Sequence, residues 1–330
     1  MARLIIWILL STLLYGGYWF GATRALDGAV TNVVAEAREG GWQIDYDGLA
    51  TSGFPGGFDV FADQIDIVAA DRTWAWQAPE LQVRAPGLRP IEISVILPET
   101  QILRLADQTL QIDGDSIVVD ARTRLNMALS FEHAAINATE AAVQSDVGWR
   151  LGSDLAIATL QRADDADRAY DLDLDARGIT IPVTLLGQLA RTGALTNTID
   201  SVVMDADITL DRALDRFAFE NHDTGPMLER VVLRDFNMRW GEIGLRADGA
   251  VDIDATGVPD GRMTFRTAEW ETIIDLLVMM GALDQGVAPT LTNMAATMVD
   301  ENGMLALPVT FRDGFMSMGL LPLGPAPRLR

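Results

Sequence analysis

Asp171-Leu172-Asp173-Leu174-Asp175 alternates strictly between carboxylates and leucines. A β-strand sends successive side chains to opposite faces, so this stretch has one wet face and one apolar face. The period of two recurs on both sides of it. Met204, Ala206, Ile208 and Leu210 oppose Asp205, Asp207 and Thr209, and Val251, Ile253 and Ala255 oppose Asp252 and Asp254. Upstream, residues 91–95 read Ile-Glu-Ile-Ser-Val, and Ile117, Val119, Ala121 and Leu125 share a face against Asp120, Arg122 and Arg124. Antiparallel strands with one covered and one solvated face carry this pattern.

Turn chemistry punctuates the runs. Asp113-Gly114, Asp248-Gly249, Asp260-Gly261, Asn302-Gly303 and Asp313-Gly314 each supply the positive φ that a tight hairpin needs. Frequent hairpins predict a long meander and exclude repeated βαβ units. Helices are expected to be few. Pro182 suits the first turn of a short one carrying Leu185, Leu186 and Leu189. Thr267 caps a second, with Glu269 and Glu271 in its positive first turn and Trp270, Ile273, Ile274 and Leu277 along its apolar side. A third is expected over residues 290–299, with Met294 and Met298 four apart. Such helices most simply cover the apolar side of the sheet.

The chain opens differently. Residues 4–22, LIIWILLSTLLYGGYWFGA, hold nineteen residues without a charge. At about 1.5 Å rise per residue, that nearly spans a hydrocarbon core. Tyr15, Tyr18 and Trp19 stand toward the far end, where an interfacial aromatic belt belongs. Bulky Tyr18, Trp19 and Phe20 argue against a cleaved signal peptide and for a retained anchor. A three-residue tail ahead of the span favours the N-terminus inside and the large domain outside. Val30, Val33, Val34 and Ala37 then mark a juxtamembrane helix over residues 23–41 that Gly40-Gly41 ends.

The net charge is −22, and the 25 basic residues are all arginine. So acidic a surface repels phosphate backbones, which argues against a nucleic-acid partner. The chain has no cysteine, so it holds no disulfide and no thiolate site.

Motifs with catalytic potential dissolve on inspection. His133 and His222 show no metal-ligand spacing. Gly114-Asp115-Ser116-Ile117 is similar to the start of one lipase and esterase group, but no histidine lies beyond His222 and none is preceded by the required aspartate. Asp171-x-Asp173-x-Asp175 matches the first half of a calcium loop, yet Ala176 stands where glycine is needed and Pro182 where a bidentate Glu belongs. The expectation is therefore a non-enzyme with no cofactor and no metal.

What remains is apolar surplus. Trp74 and Trp76 are two apart and project from one face of a strand, and Trp149, Trp240 and Phe265 lie in other strand-like runs. These are either core or the wall of a groove that accepts lipid chains.

Residues 42–46 (Trp-Gln-Ile-Asp-Tyr), 52–58 (Ser-Gly-Phe-Pro-Gly-Gly-Phe), 76–79 (Trp-Gln-Ala-Pro) and 314–324, together with the N-terminal span, resemble a family of membrane-anchored envelope proteins of Gram-negative bacteria, a domain of unknown function. More distantly, residues 244–265 resemble the AsmA-like envelope proteins. That resemblance implies a β-groove and a lipid-related role in the envelope, and carries over no catalytic residue.

The expected molecule is mainly β (α+β). Residues 1–22 form an inner-membrane anchor and 23–41 a juxtamembrane helix. Residues 42–330 form a periplasmic domain with a long antiparallel sheet and a few covering helices, and a sub-boundary near 178–198. The expected function is non-enzymatic: binding or passing lipid along an apolar sheet face, with Trp74 and Trp76 facing the lipid. The alternative is a structural or assembly factor that binds another envelope protein through its sheet edges.

Overall fold

The structure, a computed structural model, describes residues 28, 31–32, 34–54, 56–87, 91–164, 166–182, 196–218, 225–279, 283–319 and 321–329. The expected anchor, the helix with Leu185, Leu186 and Leu189, and His222 lie outside the described residues, as does most of the stretch 178–198. Among the described residues no helix is long and apolar enough to cross a membrane. The chain divides into two compact units, residues 1–122 with 141–148, and residues 123–140 with 149–330. Every registered pairing is antiparallel, and the protein is mainly β.

The first unit holds β1 (Gln43–Asp45), β2 (Gly48–Ser52), β3 (Gly57–Val68), β4 (Trp74–Pro86), β5 (Glu92–Leu97), β6 (Thr100–Leu105), β7 (Thr109–Asp113), β8 (Ser116–Thr123) and the end of β9 (Phe131–Ser145). One side of β3 carries the short β1 and β2 end to end, and the other carries β4. The sheet forks at β4. Its residues 82–84 pair with β5, which continues to β8, while residues 74–77 pair with β6, which continues to β7 and β9. The fork explains why Asp113-Gly114 is not the expected hairpin: it links β7 to a strand registered with β5. Along β3 and β4 the apolar alternation also slips by one residue. Val60↔Val83 and Ala62↔Leu81 precede the slip, and Ile65↔Ala78 and Ile67↔Trp76 follow it, with Gln64 left-handed (φ 50) between them.

The second unit is the expected meander. The first part of β9 is followed by β10 (Arg150–Arg162), β11 (Ala169–Thr180), β12 (Thr198–Leu210), β13 (Leu228–Trp240), β14 (Ile243–Ile253) and β15 (Pro259–Thr267). Two helices then intervene, α1 (Trp270–Met279) and α2 (Ala288–Met298), before β16 (Leu305–Arg312), β17 (Phe315–Met318) and β18 (Leu321–Pro325). β15 and β16 still pair directly, Gly261↔Phe311 to Thr267↔Leu305. The expected cap is displaced by two residues: the Glu269 carbonyl accepts the first helical bond, from Ile273 N–H at 3.1 Å, so Glu269 stands at the cap of α1, while Thr267 Oγ1 accepts the Glu269 N–H at 3.1 Å in a turn just ahead of the helix. Ile274, Leu291 and Ala295 of the helices bury against Leu305 and Met318 of the sheet, with Trp270, Leu277 and Met294 at the margin. Leu276 joins Trp240 and Ile243 in a neighbouring cluster. Fully burying each large aliphatic side chain is worth about 1.5–3 kcal/mol, so these contacts hold the helices down.

Some turns differ from expectation. Asp313 (φ 53) and Gly314 (φ 77) do make a two-residue hairpin between Arg312 and Phe315, and Gly303 (φ 79) sits in the turn before β16. Asp248-Gly249 and Asp260-Gly261, however, lie inside β14 and β15. Gly249 pairs with Met263, and Gly261 with Val251. Their positive φ (148 and 151) serves close strand contact: a Cβ on Gly249 would overlap the Arg262 carbonyl oxygen, and one on Gly261 the Ala250 carbonyl oxygen. The actual reversal is at Asp254–Gly257, so Ala255 is a turn residue. Leu125 likewise leaves its expected strand face: β8 ends at Thr123, and Leu125 stands in an exposed loop.

Candidate functional site

In the first unit the fork in β4 builds an apolar wall. One cross-strand row runs Ile67, Trp76, Leu103, Leu110 over β3, β4, β6 and β7. Trp74 stands opposite Leu105 on the next row. All of these side chains are half-buried. Trp74 meets Trp42 edge to face, centroids 5.5 Å apart. The polar exception in the wall is Gln101, 4% exposed, whose Oε1 accepts the Trp76 indole N–H at 2.8 Å. Trp76 therefore brings an apolar ring system to the wall with its one polar atom satisfied internally. Gln101 and Ala78 also line a cavity of about 360 Å³ with Ile65, Ile102 and Thr100. The structure thus places Trp74 and Trp76 on one wall, as their spacing predicts. Sequence reading missed Gln101, which follows Glu99-Thr100 in a polar stretch and gains its partner, Trp76, only through strand pairing.

The wet side of the second unit is an acidic ladder. Asp171 stands directly opposite Asp207, Asp173 opposite Asp205, and Asp205 opposite Asp235. Like charges directly across a strand pair are destabilising. Arg234 resolves the conflict. The register slips between Asp205↔Asp235 and Ala206↔Leu233, so Arg234 is the extra residue of a β-bulge. From there its guanidinium reaches Asp171 at 3.1 Å and also binds Asp205 and Asp207. Partial burial, then the hydrogen bond to Asp171, push Asp207 above the usual carboxylate range, against the pull of Arg234. The hydrogen bond from Arg177 pulls Asp175 below it. The Asp171-x-Asp173-x-Asp175 spacing is accordingly one solvated strand face. Among the described residues no group of three or more histidines and carboxylates is placed to hold a metal ion.

Ser116 is the exposed first residue of β8, in the first unit, and His133 is a half-buried residue of β9 in the second. A further apolar cavity, about 600 Å³, opens in the second unit between Leu210, Pro226, Met227, Leu228, Ala255 and Leu329.

Tyr170 organises one end of the second unit. It is 1% exposed; its hydroxyl accepts the Leu214 N–H at 2.7 Å and donates to the Asp167 carbonyl at 3.1 Å. Its ring meets Phe131 edge to face at 5.7 Å. Burial raises its phenol pKa, so it stays protonated and able to donate. The sequence gives no local sign that residues 131, 167 and 214 converge on it.

Residues 19–327 match the family described as "Uncharacterized protein conserved in bacteria (DUF2125)". No curated protein and no solved structure matches the chain.

Proposed function

We propose, for a chain that belongs to this family of uncharacterized bacterial proteins, a non-enzymatic role in the cell envelope: binding or passing lipid along an apolar sheet face. In this reading residues 4–22 hold the protein in the inner membrane as a single span and the large domain lies in the periplasm. The observation that carries it is the wall around Trp74 and Trp76. Its side chains are half-buried, and its single buried amide, Gln101, is spent on Trp76. Acyl chains need apolar area more than directional bonds, and such a wall offers that. The likeness of residues 244–265 to AsmA-like proteins supports the same reading.

The alternative, an assembly factor that captures a partner on a sheet edge, has less support. The edge strands β1 and β2 are short, and β18 carries Pro322 and Pro325, which cannot donate to an added strand. The test is mass spectrometry of lipid extracted with the full chain after membrane purification, for the native protein and for Trp76→Glu. The expected result is phospholipid in the native protein and its loss from a variant that still melts cooperatively. A stoichiometric protein partner in place of lipid would favour the alternative. Collapse of the melt in Trp76→Glu would make the tryptophan sealed core and remove it from any lipid path.

A further inference from the structure

The end of the second unit that Tyr170 organises has two contrasting sides. The loop after β8 is a built one: Ser130 N–H donates to Asn126 Oδ1 at 3.1 Å, Asn126 Nδ2 donates to Ser130 Oγ at 3.0 Å, and Leu129 is held left-handed at φ 47. Backbone bonds tie it to the segment after β12, Arg216 N–H to the Ala128 carbonyl at 3.0 Å and Phe131 N–H to the Leu214 carbonyl at 2.8 Å. Outward, this pair of loops exposes Leu125 (83%), Met127 (86%) and, less fully, Leu129 and Phe217. Arg216 stacks its guanidinium 4.5 Å from the Phe217 ring centroid. Large apolar side chains so exposed on an ordered loop are costly in water and mark a contact surface.

Inward, the same loops line a cavity of about 300 Å³ whose polar walls include Arg124, Asn126, Ser130, Arg162, Asp167 and Asp215. Arg162 is the telling residue. Its side chain is 9% exposed, one terminal nitrogen donates to the Ala166 carbonyl at 2.9 Å, and the same nitrogen lies 3.5 Å from Asp167. Its Nε–H is buried without an acceptor. Buried donors are normally satisfied, so an unsatisfied one beside a polar cavity is a cost that an acceptor bound there would remove after a small rotation of the guanidinium.

We propose that this cavity receives the phosphate-bearing headgroup of a phospholipid, while Leu125, Met127 and Phe217 enter the adjoining apolar layer of the membrane. The proposal rests on the lipid-binding reading above and adds the lipid class and a second site. Arg162 and Arg124 offer guanidinium donors to phosphate oxygens. Asp167 and Asp215 line the cavity with them, and Glu132 lies 3.8 Å from Arg124, so the cavity disfavours a bare dianion and suits a zwitterion whose ammonium meets a carboxylate. A phosphoethanolamine headgroup satisfies both demands, and the exposed apolar tip accounts for the rest of an amphiphile. Arg216 and Phe217 suit the interface between headgroups and chains.

The cysteine-free chain makes the test clean. The full-length protein carrying Met127→Cys, labelled with a polarity-sensitive fluorophore, is reconstituted into phosphatidylethanolamine-containing vesicles, with and without spin-labelled acyl chains. The expected result is a blue-shifted emission quenched by the acyl-chain spin label. A blue shift without quenching would mean a protein contact and would overturn the membrane assignment. In detergent, native mass spectrometry should show one phosphatidylethanolamine that Trp76→Glu does not displace, weakened about tenfold or more by Arg162→Gln, as expected for loss of a charged donor. Arg124→Gln, at a half-exposed side chain, should weaken it in the same sense if the buried variant does not fold. Retention unchanged in Arg124→Gln, or inorganic phosphate displacing the lipid at equal concentration, would overturn the headgroup assignment. Loss of lipid in Trp76→Glu with retention at this cavity would separate failure of one site from failure of the other.

Discussion

The Trp76 indole N–H is paired with Gln101 Oε1 at 2.8 Å, across the β4–β6 strand pair and at a glutamine that is 4% exposed. The pair lets a large amphipathic ring stand in an apolar wall without an unsatisfied donor. Trp76→Phe keeps an aromatic ring but loses the five-membered part of the indole with its N–H, and strands the glutamine oxygen. The expected cost is about 1–3 kcal/mol in chemical denaturation. Gln101→Leu strands the indole N–H and should cost a similar amount. The double variant removes both polar partners, so it should be more stable than the sum of the two losses predicts. Strict additivity would show that the bond contributes nothing.

Gly249 and Gly261 give a sharper prediction. A Cβ on either would overlap a backbone carbonyl of the facing strand and lie 2.7 Å from Met263 Cα or 2.8 Å from Val251 Cα. Backbone on both sides leaves no flexible neighbour to yield, and both glycines have a φ that L-residues avoid. Gly249→Ala and Gly261→Ala should each cost more than about 2 kcal/mol by urea titration. Gly244, in the same strand, has nothing within 4 Å of its Cβ position and no positive φ. Gly244→Ala should be neutral or mildly stabilising, since it removes unfolded-state entropy. Equal effects at all three would refute the close-contact account.

These two glycines also show where sequence reading stops. The dipeptides Asp248-Gly249 and Asp260-Gly261 are chemically the same signal as Asp313-Gly314, which does make a hairpin. A dipeptide reports that positive φ is available, not whether a turn or an approaching strand uses it. Periodicity was legible at Asp171–Asp175 and at Met204–Leu210, whose pairing with each other is regular even though β13 bulges against the second of them. It failed at Leu125, where the alternation outlasts the hydrogen bonding. Of the sites, the Trp74–Trp76 spacing was visible because it is local. Gln101, Arg234 and Arg162 were not, because each gains its meaning from partners many residues away that strand pairing or loop packing brings to it.

Tyr170 links fold to the proposed headgroup cavity. Its hydroxyl holds Leu214 N–H and the Asp167 carbonyl, and both residues flank that cavity. Tyr170→Phe keeps the ring contact with Phe131 and removes both bonds. The expected loss is about 1–3 kcal/mol. Amide exchange at Leu214 should rise well before exchange in the β11–β12 ladder does. Unchanged protection at Leu214 would show that the loop is held by its other contacts.

The acidic ladder makes a pH prediction of determined sign. Asp207 has its pKa raised, by partial burial first and by Asp171 next, even with Arg234 bound. A carboxyl raised on folding binds its proton more tightly in the folded state, so its contribution to stability falls as pH rises through that raised pKa. Asp207→Asn should therefore match or slightly exceed the native stability at pH 7, by less than about 1 kcal/mol for so exposed a group. The gain should vanish at acid pH, where the native carboxyl is also neutral. Asp211 is the opposite case. Its pKa is lowered, first by the hydrogen bond from Arg212, and its Oδ1 also accepts the Met227 N–H at 2.8 Å. Its contribution is present above the ordinary carboxylate range and is lost as pH falls through the lowered pKa. Asp211→Asn should cost about 1–3 kcal/mol at pH 7, and the deficit should shrink at strongly acid pH. Arg234→Leu exposes the ladder to its own repulsion: Asp171, Asp205 and Asp207 lose their shared cation. That variant should be destabilised at pH 7, and should be partly rescued both by added salt, which screens the three charges, and by lower pH, which neutralises them. If Arg234→Leu loses stability equally at all salt concentrations and pH values, the arginine acts through packing and not through charge.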